Sequence, residues 1–330
     1  MISVVVPAYN AAKTICNCLR ALTQQSVPRS EYEIIVVDDG STDETASMAE
    51  AAGAQVIRQS NQGPAAARNR GVAAARGDLI LFTDADCEPA PDWIERMSAP
   101  FADPRIMGVK GAYRSLQREP MARLAQAEFE DKYARLRRHE TIDFIDTYSA
   151  AYRRSIFLQA GGFDETFPLA SVEDVELSFR LAEQGVRLVF APEAQVYHAH
   201  VTSLAHYMRR KARYGFWRAL VYRWHPGKIQ GDTYTDPVLK IQFALVGLGG
   251  LGVVGALIDA RFLLVTFLAG LALVMTALPF AARTWQRDRL AALIALPVHA
   301  LRAVVQAGAL VVGMVVHNRP GQRPTSARST

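Results

Sequence analysis

Glu33-Ile34-Ile35-Val36-Val37-Asp38-Asp39-Gly40-Ser41-Thr42-Asp43 is the stretch whose reading sets the fold. Four consecutive β-branched apolar residues describe a strand buried on both faces, as in a parallel sheet covered by helices. The run breaks on two aspartates, and the Ser41, Thr42 and Asp43 that follow favour turns and helix N-caps. Working outward, Ile2 to Val6 is a second buried strand, and Ile15, Leu19 and Leu22 between the two fall on one helical face. Downstream come a helix over 43–52, a weak strand at 54–58, an alanine-rich helix at 63–75 and a strand at 78–82. Strands alternating with helices at this spacing predict βαβ units.

Beyond the fourth strand, Pro89 and Pro91 punctuate a loop before a helix near 92–99. The pattern then predicts strands at 106–113, 142–147 and 186–190. Helices are expected at 119–138, 153–160 and 172–184, with a basic helix over 202–216.

The C-terminal third changes solvent. Hydrophobic residues make up 50 % of the 330-residue chain and mean hydropathy is only +0.04, but the average hides two runs, 241–258 and 262–282, without a charged side chain. Each is long enough to cross ~30 Å of hydrocarbon. A third apolar stretch, 290–316, contains Pro297, His299 and Arg302 and is compatible with spanning, re-entry or an interfacial position. Arg209, Arg210, Lys211, Arg213, Arg218, Arg223 and Lys228 crowd residues 201–230 without an acid, which places that side in the cytoplasm. Arg283, Arg287 and Arg289, then Arg319, Arg323 and Arg328, favour the same side, hence an interfacial or re-entrant third segment.

The net charge of +5 is therefore read as attraction to anionic lipid rather than to nucleic acid. Cys16, Cys18 and Cys87 form no metal-type or disulfide-type spacing and are expected to be reduced thiols. The start shows no basic and apolar leader pattern and reads as a first strand. The expected organisation is a cytosolic catalytic domain over 1–216, a basic juxtamembrane linker over 217–240, a membrane domain over 241–316 and a disordered tail over 317–330.

Chemistry-bearing residues collect where strands end. Asp38 and Asp39 close the second strand; Asp84 and Asp86 close the fourth. Ligands of open parallel sheets bind beyond the carboxyl ends of the strands, so these carboxylates mark a cation or ligand site. In Asp84-Ala85-Asp86 the alternate side chains of an extended segment point to one side, and a hard divalent cation held there keeps positions open for phosphate oxygens.

Six motifs in order carry a resemblance to glycosyltransferase family 2. They are Pro7-Ala8-Tyr9-Asn10, Val37 to Asp43, Asn61-Gln62-Gly63 with Arg68-Asn69, Phe82-Thr83-Asp84-Ala85-Asp86, Gly161-Gly162-Phe163-Asp164-Glu165 and Glu173-Asp174-Val175-Glu176-Leu177. The resemblance covers residues 2 to about 215. It implies a GT-A, nucleotide-diphospho-sugar transferase-like fold, a mixed sheet flanked by helices, here followed by transmembrane helices. It also implies inverting transfer of a sugar from a nucleotide-sugar donor, with Mg2+ or Mn2+ as cofactor.

On that resemblance Pro7 and Tyr9 border the donor base, Tyr9 stacking on it. Asp38 belongs to the same nucleotide pocket, Asp39 accepts from the base, and Arg68 approaches the base or pyrophosphate, a task suited to guanidinium. Asp84 reaches the ribose or a metal-bound water, and Asp86 coordinates the cation. His198 is an added metal ligand or a plain core or surface histidine, and His200 is a weaker competitor. Glu173 and Asp174 form the family's acidic pair, with Asp174 the base toward the acceptor hydroxyl; helix-start acids that complement the dipole are the competing reading. The resemblance carries Arg213 over as a pyrophosphate contact, but Arg210 and Tyr214 replace the glutamine and tryptophan of the processive relatives' QxxRW pattern.

The expected partners are a nucleotide-sugar donor, a UDP-sugar as the resemblance implies, a lipid-linked or envelope-glycan acceptor, and membrane lipids. The expected location is the inner (cytoplasmic) membrane, with the catalytic domain in the cytoplasm. Two competing functions are a donor-binding scaffold without catalysis and a sugar nucleotidyltransferase. The second wants a glycine- and lysine-rich phosphate loop where this chain has Pro7-Ala8-Tyr9-Asn10.

Overall fold

The computed structural model describes residues 1–167 and 171–317. Those residues form two compact units. The first contains Met1–Leu116 and Tyr133–Ala199; the second contains Gln117–Lys132 and the described part of His200–Gln322. Apart from His317, the tail expected at 317–330 lies outside the described residues.

In the first unit the elements run β1 (Ile2–Ala8), α1 (Ile15–Thr23), β2 (Tyr32–Asp38), α2 (Thr45–Ala51), β3 (Gln55–Arg58), α3 (Pro64–Ala74), β4 (Leu79–Phe82), β5 (Cys87–Pro89), α4 (Trp93–Ser98) and β6 (Ile106–Arg114). Helix α5 (Pro120–Leu136) contributes its last residues. β7 (Ala150–Arg153), α6 (Arg154–Gln159), α7 (Glu173–Glu183) and β8 (Arg187–His198) complete the unit. Among the described residues one eight-stranded sheet forms, in the order β3-β2-β1-β4-β7-β6-β8-β5. Strands β3, β2, β1 and β4 are parallel. β7 is antiparallel to both β4 and β6, β8 is parallel to β6, and β5 is antiparallel to β8.

The apolar runs account for the parallel half. Val4, Val5 and Val6 and the segment Ile35 to Val37 are wholly inaccessible, as a strand covered on both faces must be. Each chain crossing then ends at the same sheet edge, where Ala8 pairs with Asp38 and Phe82 pairs with Val5. The strand expected over 142–147 does not form. Ile142 makes one isolated bridge to Leu188, and the Ile145 amide donates to the Ser178 hydroxyl at 3.0 Å instead of to a neighbouring strand. Pairing moves to Ala150–Arg153, which the sequence reading left outside any strand.

The second unit holds residues 120–132 of α5 and α8 (Leu204–Trp224), α9 (Pro237–Gly255), α10 (Phe262–Met275), α11 (Leu278–Trp285) and α12 (Arg289–Val316). Segments 117–132 and 200–216, placed with the catalytic domain in the sequence reading, group here with the apolar helices. The reason is an apolar cluster of Met121, Leu124, Tyr207, Phe280, Ala295 and Val298. Among the described residues, three helices can cross a membrane by length and composition: Pro237–Gly255, Phe262–Trp285 and Arg289–Val316. The first two form a hairpin in which Thr266 donates to the Gly249 carbonyl at 3.0 Å and Gln242 donates to the Thr276 hydroxyl at 2.9 Å. Such side-chain bonds satisfy polar groups that hydrocarbon would leave unpaired.

Candidate active site

The first unit gathers its acids around one arginine. Arg68, in the second turn of α3, is 3 % exposed. Its Nη2 meets Asp84 Oδ1 at 2.8 Å and its Nη1 meets Glu173 Oε1 at 3.1 Å. Burial opposes the Arg68 charge, but Asp84 and Glu173 outweigh it and raise its pKa. The alanines around Arg68 explain how it fits: Ala65, Ala66 and Ala67 are buried and let α3 lie close on the sheet. One guanidinium thus ties the loop after β4 to the first turn of α7, segments far apart in sequence. The expected Arg68, Asp84 and Glu173 are brought together.

Asp174 follows Glu173 in that first turn. Its Oδ1 accepts from the Val175 amide at 2.8 Å, and its charge is felt at Lys110, Tyr148 and Tyr152. Glu173 is held from its other oxygen by the Ser171 amide at 2.8 Å. Of the acidic pair, Glu173 is committed to Arg68 and to the backbone.

Asp86 and His198 meet across the β5–β8 pairing, in which Cys87 is opposite His198. His198 Nδ1 lies 3.5 Å from Asp86 Oδ1. The Asp86 side chain is half exposed, and the His198 ring stands 5.0 Å from Tyr113, centroid to centroid. The ligand atoms of Asp86, Cys87 and His198 lie within 4.8 Å of one another. Cys87, which the sequence reading set aside as a plain thiol, belongs to this cluster by position. Burial pushes its thiol well up in pKa, with Asp84 and Asp86 adding to the shift. A hard divalent cation favours carboxylate oxygen and tolerates imidazole, so Asp86 and His198 fit it better than a neutral thiol does.

The β1 and β2 ends are laced together. Asn10 Oδ1 accepts from the Thr42 amide at 2.9 Å, the Asn10 amide donates to Ser41 Oγ at 2.9 Å and the Ala12 amide donates to Asp43 Oδ2 at 3.1 Å. Tyr9 is left 53 % exposed, with its ring available at the site rim, and Pro7 sits opposite Val37 inside β1. Asp38 closes β2, buried, with the Ser41 amide 3.4 Å from its carboxylate. Asp39 is busier than the resemblance implies. Its Oδ1 accepts from Gln59 Nε2 at 2.8 Å and the Gln62 amide at 2.9 Å, and its Oδ2 accepts from the Gly63 amide at 2.8 Å. A carboxylate has about four acceptor positions, so three are spent on shaping the entry to α3.

Asn69 also has a role the sequence did not show. Its side chain accepts from the Phe163 amide at 2.9 Å and donates to the Phe163 carbonyl at 2.8 Å. Gly162, at φ 72°, has no room for a Cβ, which would lie 2.5 Å from Asn69 Oδ1. Arg180 holds the Gly162 carbonyl from the other side at 2.9 Å. The Gly161 to Asp164 turn is therefore clamped between α3 and α7. Behind Asp174 lies a buried set that was also missed: Lys110 pairs with Asp146 and sits 3.2 Å from Tyr148 Oη, which donates to Asp146 at 2.8 Å. Burial lowers the Lys110 pKa, and the Asp174 charge works against that shift.

Arg213 is on α8 in the second unit and is not among the residues that the first unit gathers. His200, the competitor for His198, is also in the second unit, stacked on Phe129 at 5.5 Å and bonded to Gln126 at 3.0 Å, as a structural histidine would be.

A half-parallel sheet with paired carboxylates beyond its strand ends is the arrangement expected of the GT-A class of nucleotide-diphospho-sugar transferase folds. Residues 3–160 match the sequence model of Glycosyl transferase family 2, and the chain carries a domain of that family. A pre-mycofactocin glycosyltransferase of Mycobacterium tuberculosis is 32 % identical over 270 residues, covering 78 % of this chain and 55 % of the relative. Glycosyltransferase AglE of Haloferax volcanii is 32 % identical over 199 residues, 58 % of this chain and 64 % of that one. The chain thus spans between half and two thirds of the length of these curated relatives. Among solved structures, the mannosyltransferase PcManGT of Pyrobaculum calidifontis, in complex with GDP-Man and Mn2+, has a TM-score of 0.61 at 20 % identity. The likeness covers 96 % of this chain and 88 % of that one, and it establishes the shared fold.

Proposed function

We propose that this chain is an inverting, divalent-cation-dependent glycosyltransferase, moving a sugar from a nucleotide-sugar donor to a hydroxyl of a lipid-linked or envelope-glycan acceptor at the cytoplasmic face of the inner membrane. The observation that carries the reading is the Arg68 bridge, which joins the Asp84-Ala85-Asp86 loop to the Glu173-Asp174 helix start. A donor-binding loop and a base-bearing helix have reason to be joined so firmly where donor and acceptor must meet.

In this reading Tyr9, Pro7, Asp38 and the remaining acceptor position of Asp39 receive the base, a uridine in our first choice. The guanosine donor bound to the Pyrobaculum neighbour makes GDP-sugars the next to try. Asp84 stays with Arg68 and faces the ribose or a metal-bound water, while Asp86 and His198 would hold the cation. A divalent cation, Mg2+ or Mn2+, supplies positive charge beside the diphosphate when bound. Asp174 takes the proton of the acceptor hydroxyl as its oxygen bonds to the anomeric carbon. The bond from that carbon to the diphosphate breaks, the nucleoside diphosphate leaves with the electron pair, and the configuration inverts. The apolar helices hold the chain at the lipid surface where such an acceptor resides.

The test is release of nucleoside diphosphate from a panel of UDP- and GDP-sugars by the full chain in detergent, with Mn2+, Mg2+ or chelator and membrane lipid extract as acceptor source. Cation-dependent release that rises with extract, together with a product of inverted anomeric configuration, is expected. Retention of configuration, or full turnover in chelator, overturns the reading.

A further inference from the structure

The third apolar helix is long enough to cross a bilayer, and although it touches α9, α10 and α11, the helix it packs against most extensively is the basic α8. α12 and α8 lie side by side and run in the same direction. Tyr207 and Met208 pack with Ala295 and Val298. Lys211 and Arg302 share Glu128 at 3.0 and 2.8 Å. A Cβ at Gly215 would lie 2.6 Å from the Gln306 carbonyl oxygen, Gly313 is packed against Phe216 and Ala219, and Arg223 donates to the His317 carbonyl. The contacts advance together along both helices from one end to the other. α8 carries Arg209, Arg210, Lys211, Arg213, Arg218 and Arg223. A helix with six cations distributed over fifteen residues, from 209 to 223, is excluded from hydrocarbon, and a partner fixed along its length stays with it.

The exposed side of α12 is of the opposite character. Leu293, Pro297, Leu301, Val304, Gly308, Val311 and Val315 are exposed at intervals of three or four residues, and Val312, Met314 and Val316 are exposed beside them near the end of the helix. They form one uncharged stripe along the helix. The side toward the rest of the unit carries His299, Arg302 and Gln306, all largely covered. Arg302 also reaches Gln242 at 3.3 Å, early in α9 and so at the base of the hairpin. The stripe therefore begins from the hairpin's base and continues beside a basic helix.

We infer that α12 is not a third crossing but lies in the plane of the membrane, its Leu293-to-Val315 stripe set into the acyl boundary of one leaflet and α8 beside it at the headgroups. The occupant of the stripe is lipid. An apolar helix face flanked by arginines and lysines is what an anionic bilayer surface receives. The inference rests on α9 and α10 being a membrane hairpin. It makes the chain a two-span protein whose N-terminal unit and whose residue 317 are on one side.

The experiment uses the full chain with Cys16→Ser, which removes the exposed thiol and leaves the buried Cys18 and Cys87. Single cysteines at Leu293, Leu301, Val304 and Val312 are labelled with an environment-sensitive fluorophore in mixed zwitterionic and anionic phospholipid vesicles. Quenching by lipids spin-labelled at different depths reports the position of each probe. From 293 to 312 the helix advances about 28 Å, so a crossing moves the probe from one leaflet to the other. Equal, shallow depths at all four sites are expected. A depth that passes through the bilayer centre overturns the inference, as do probes that no lipid quenches. A control at Leu248, exposed on α9, should be deep. A shallow Leu248 removes the hairpin, and the inference with it, while leaving the transferase reading to its own assay.

Discussion

Each unit is organised around a covered arginine, and the two clusters have opposite imbalances. In the first, Arg68 serves two carboxylates, Asp84 and Glu173, with Asp86 and Asp174 close in sequence. In the second, one carboxylate, Glu128, serves Lys211 and Arg302, with His299 Nε2 3.1 Å away. The first cluster has more negative charge than its own cation neutralises, which suits a site that admits a divalent cation. The second has more positive charge than its one acid neutralises, and while Glu128 is ionised its work is to hold α5, α8 and α12 together. The difference teaches that a buried ion pair is read by its remainder: surplus acid next to a cleft implies a ligand, while a lone acid among cations implies a fastener.

The comparison is broken most severely through Asp174→Asn. As the proposed base, its loss should lower transfer by about a thousandfold, within the range for general-base removal, while donor affinity measured by calorimetry stays within twofold. Full turnover would remove the first cluster from the chemistry. Asp86→Asn should instead weaken Mn2+-dependent donor binding at least tenfold and leave the melting temperature without cation unchanged.

Glu128→Gln should do the reverse. It leaves Lys211 and Arg302 facing each other without their counter-charge, at a cost of about 3 kcal/mol, read as a lowered unfolding midpoint in detergent with unaltered donor affinity. The pH response should agree. Burial works to raise the Glu128 pKa, but Lys211, His299 and Arg302 outweigh it and hold the carboxyl well below its usual range. Its folded value is thus lower than the unfolded value of about 4.3. The stabilisation is present above that value and lost as pH falls through the folded one. Hydrogen exchange measured at falling pH should show residues 120–131 and 204–224 opening in acid, and E128Q should lack this pH-dependent step. Equal acid response in both forms would show that the fastener is elsewhere.

These two clusters were unequally legible in the sequence. The parallel half of the sheet and the acids at its strand ends were plain because the signal is local: an apolar run, then a turn, within about ten residues. The 106–113 strand and the 172–184 helix agreed with Ile106–Arg114 and Glu173–Glu183 for the same reason. Glu128 was not legible. It sits in a helix that reads simply as long and charged, and its partners lie 83 and 174 residues away. Asn69, Lys110 and Asp146 escaped for a related reason, since a polar residue in a helix or strand shows its purpose only when its partner is known. The segment 142–147 misled because Ile142, Asp143 and Phe144 alternate apolar and polar like a strand, while Ser178 on α7 captures the Ile145 amide. Local periodicity cannot report a competing side chain from another element.

The smallest predicted effect is also the sharpest. Glu173 is among the most deeply buried acids in the molecule, at 2 % exposure, and by depth alone Glu173→Gln should cost more than Glu128→Gln. The charge remainder says otherwise. Arg68 keeps Asp84 at 2.8 Å when Glu173 becomes neutral, and a glutamine carbonyl can still accept from Arg68 Nη1. What is lost is one charge-assisted contact and the good fit to the Ser171 amide, about 1 kcal/mol in all. Chemical unfolding of the two variants under the same detergent should therefore rank E128Q below E173Q, against the order of their burial. If E173Q proves the less stable of the two, depth rather than charge balance governs these clusters, and the division between ligand site and fastener has no energetic basis.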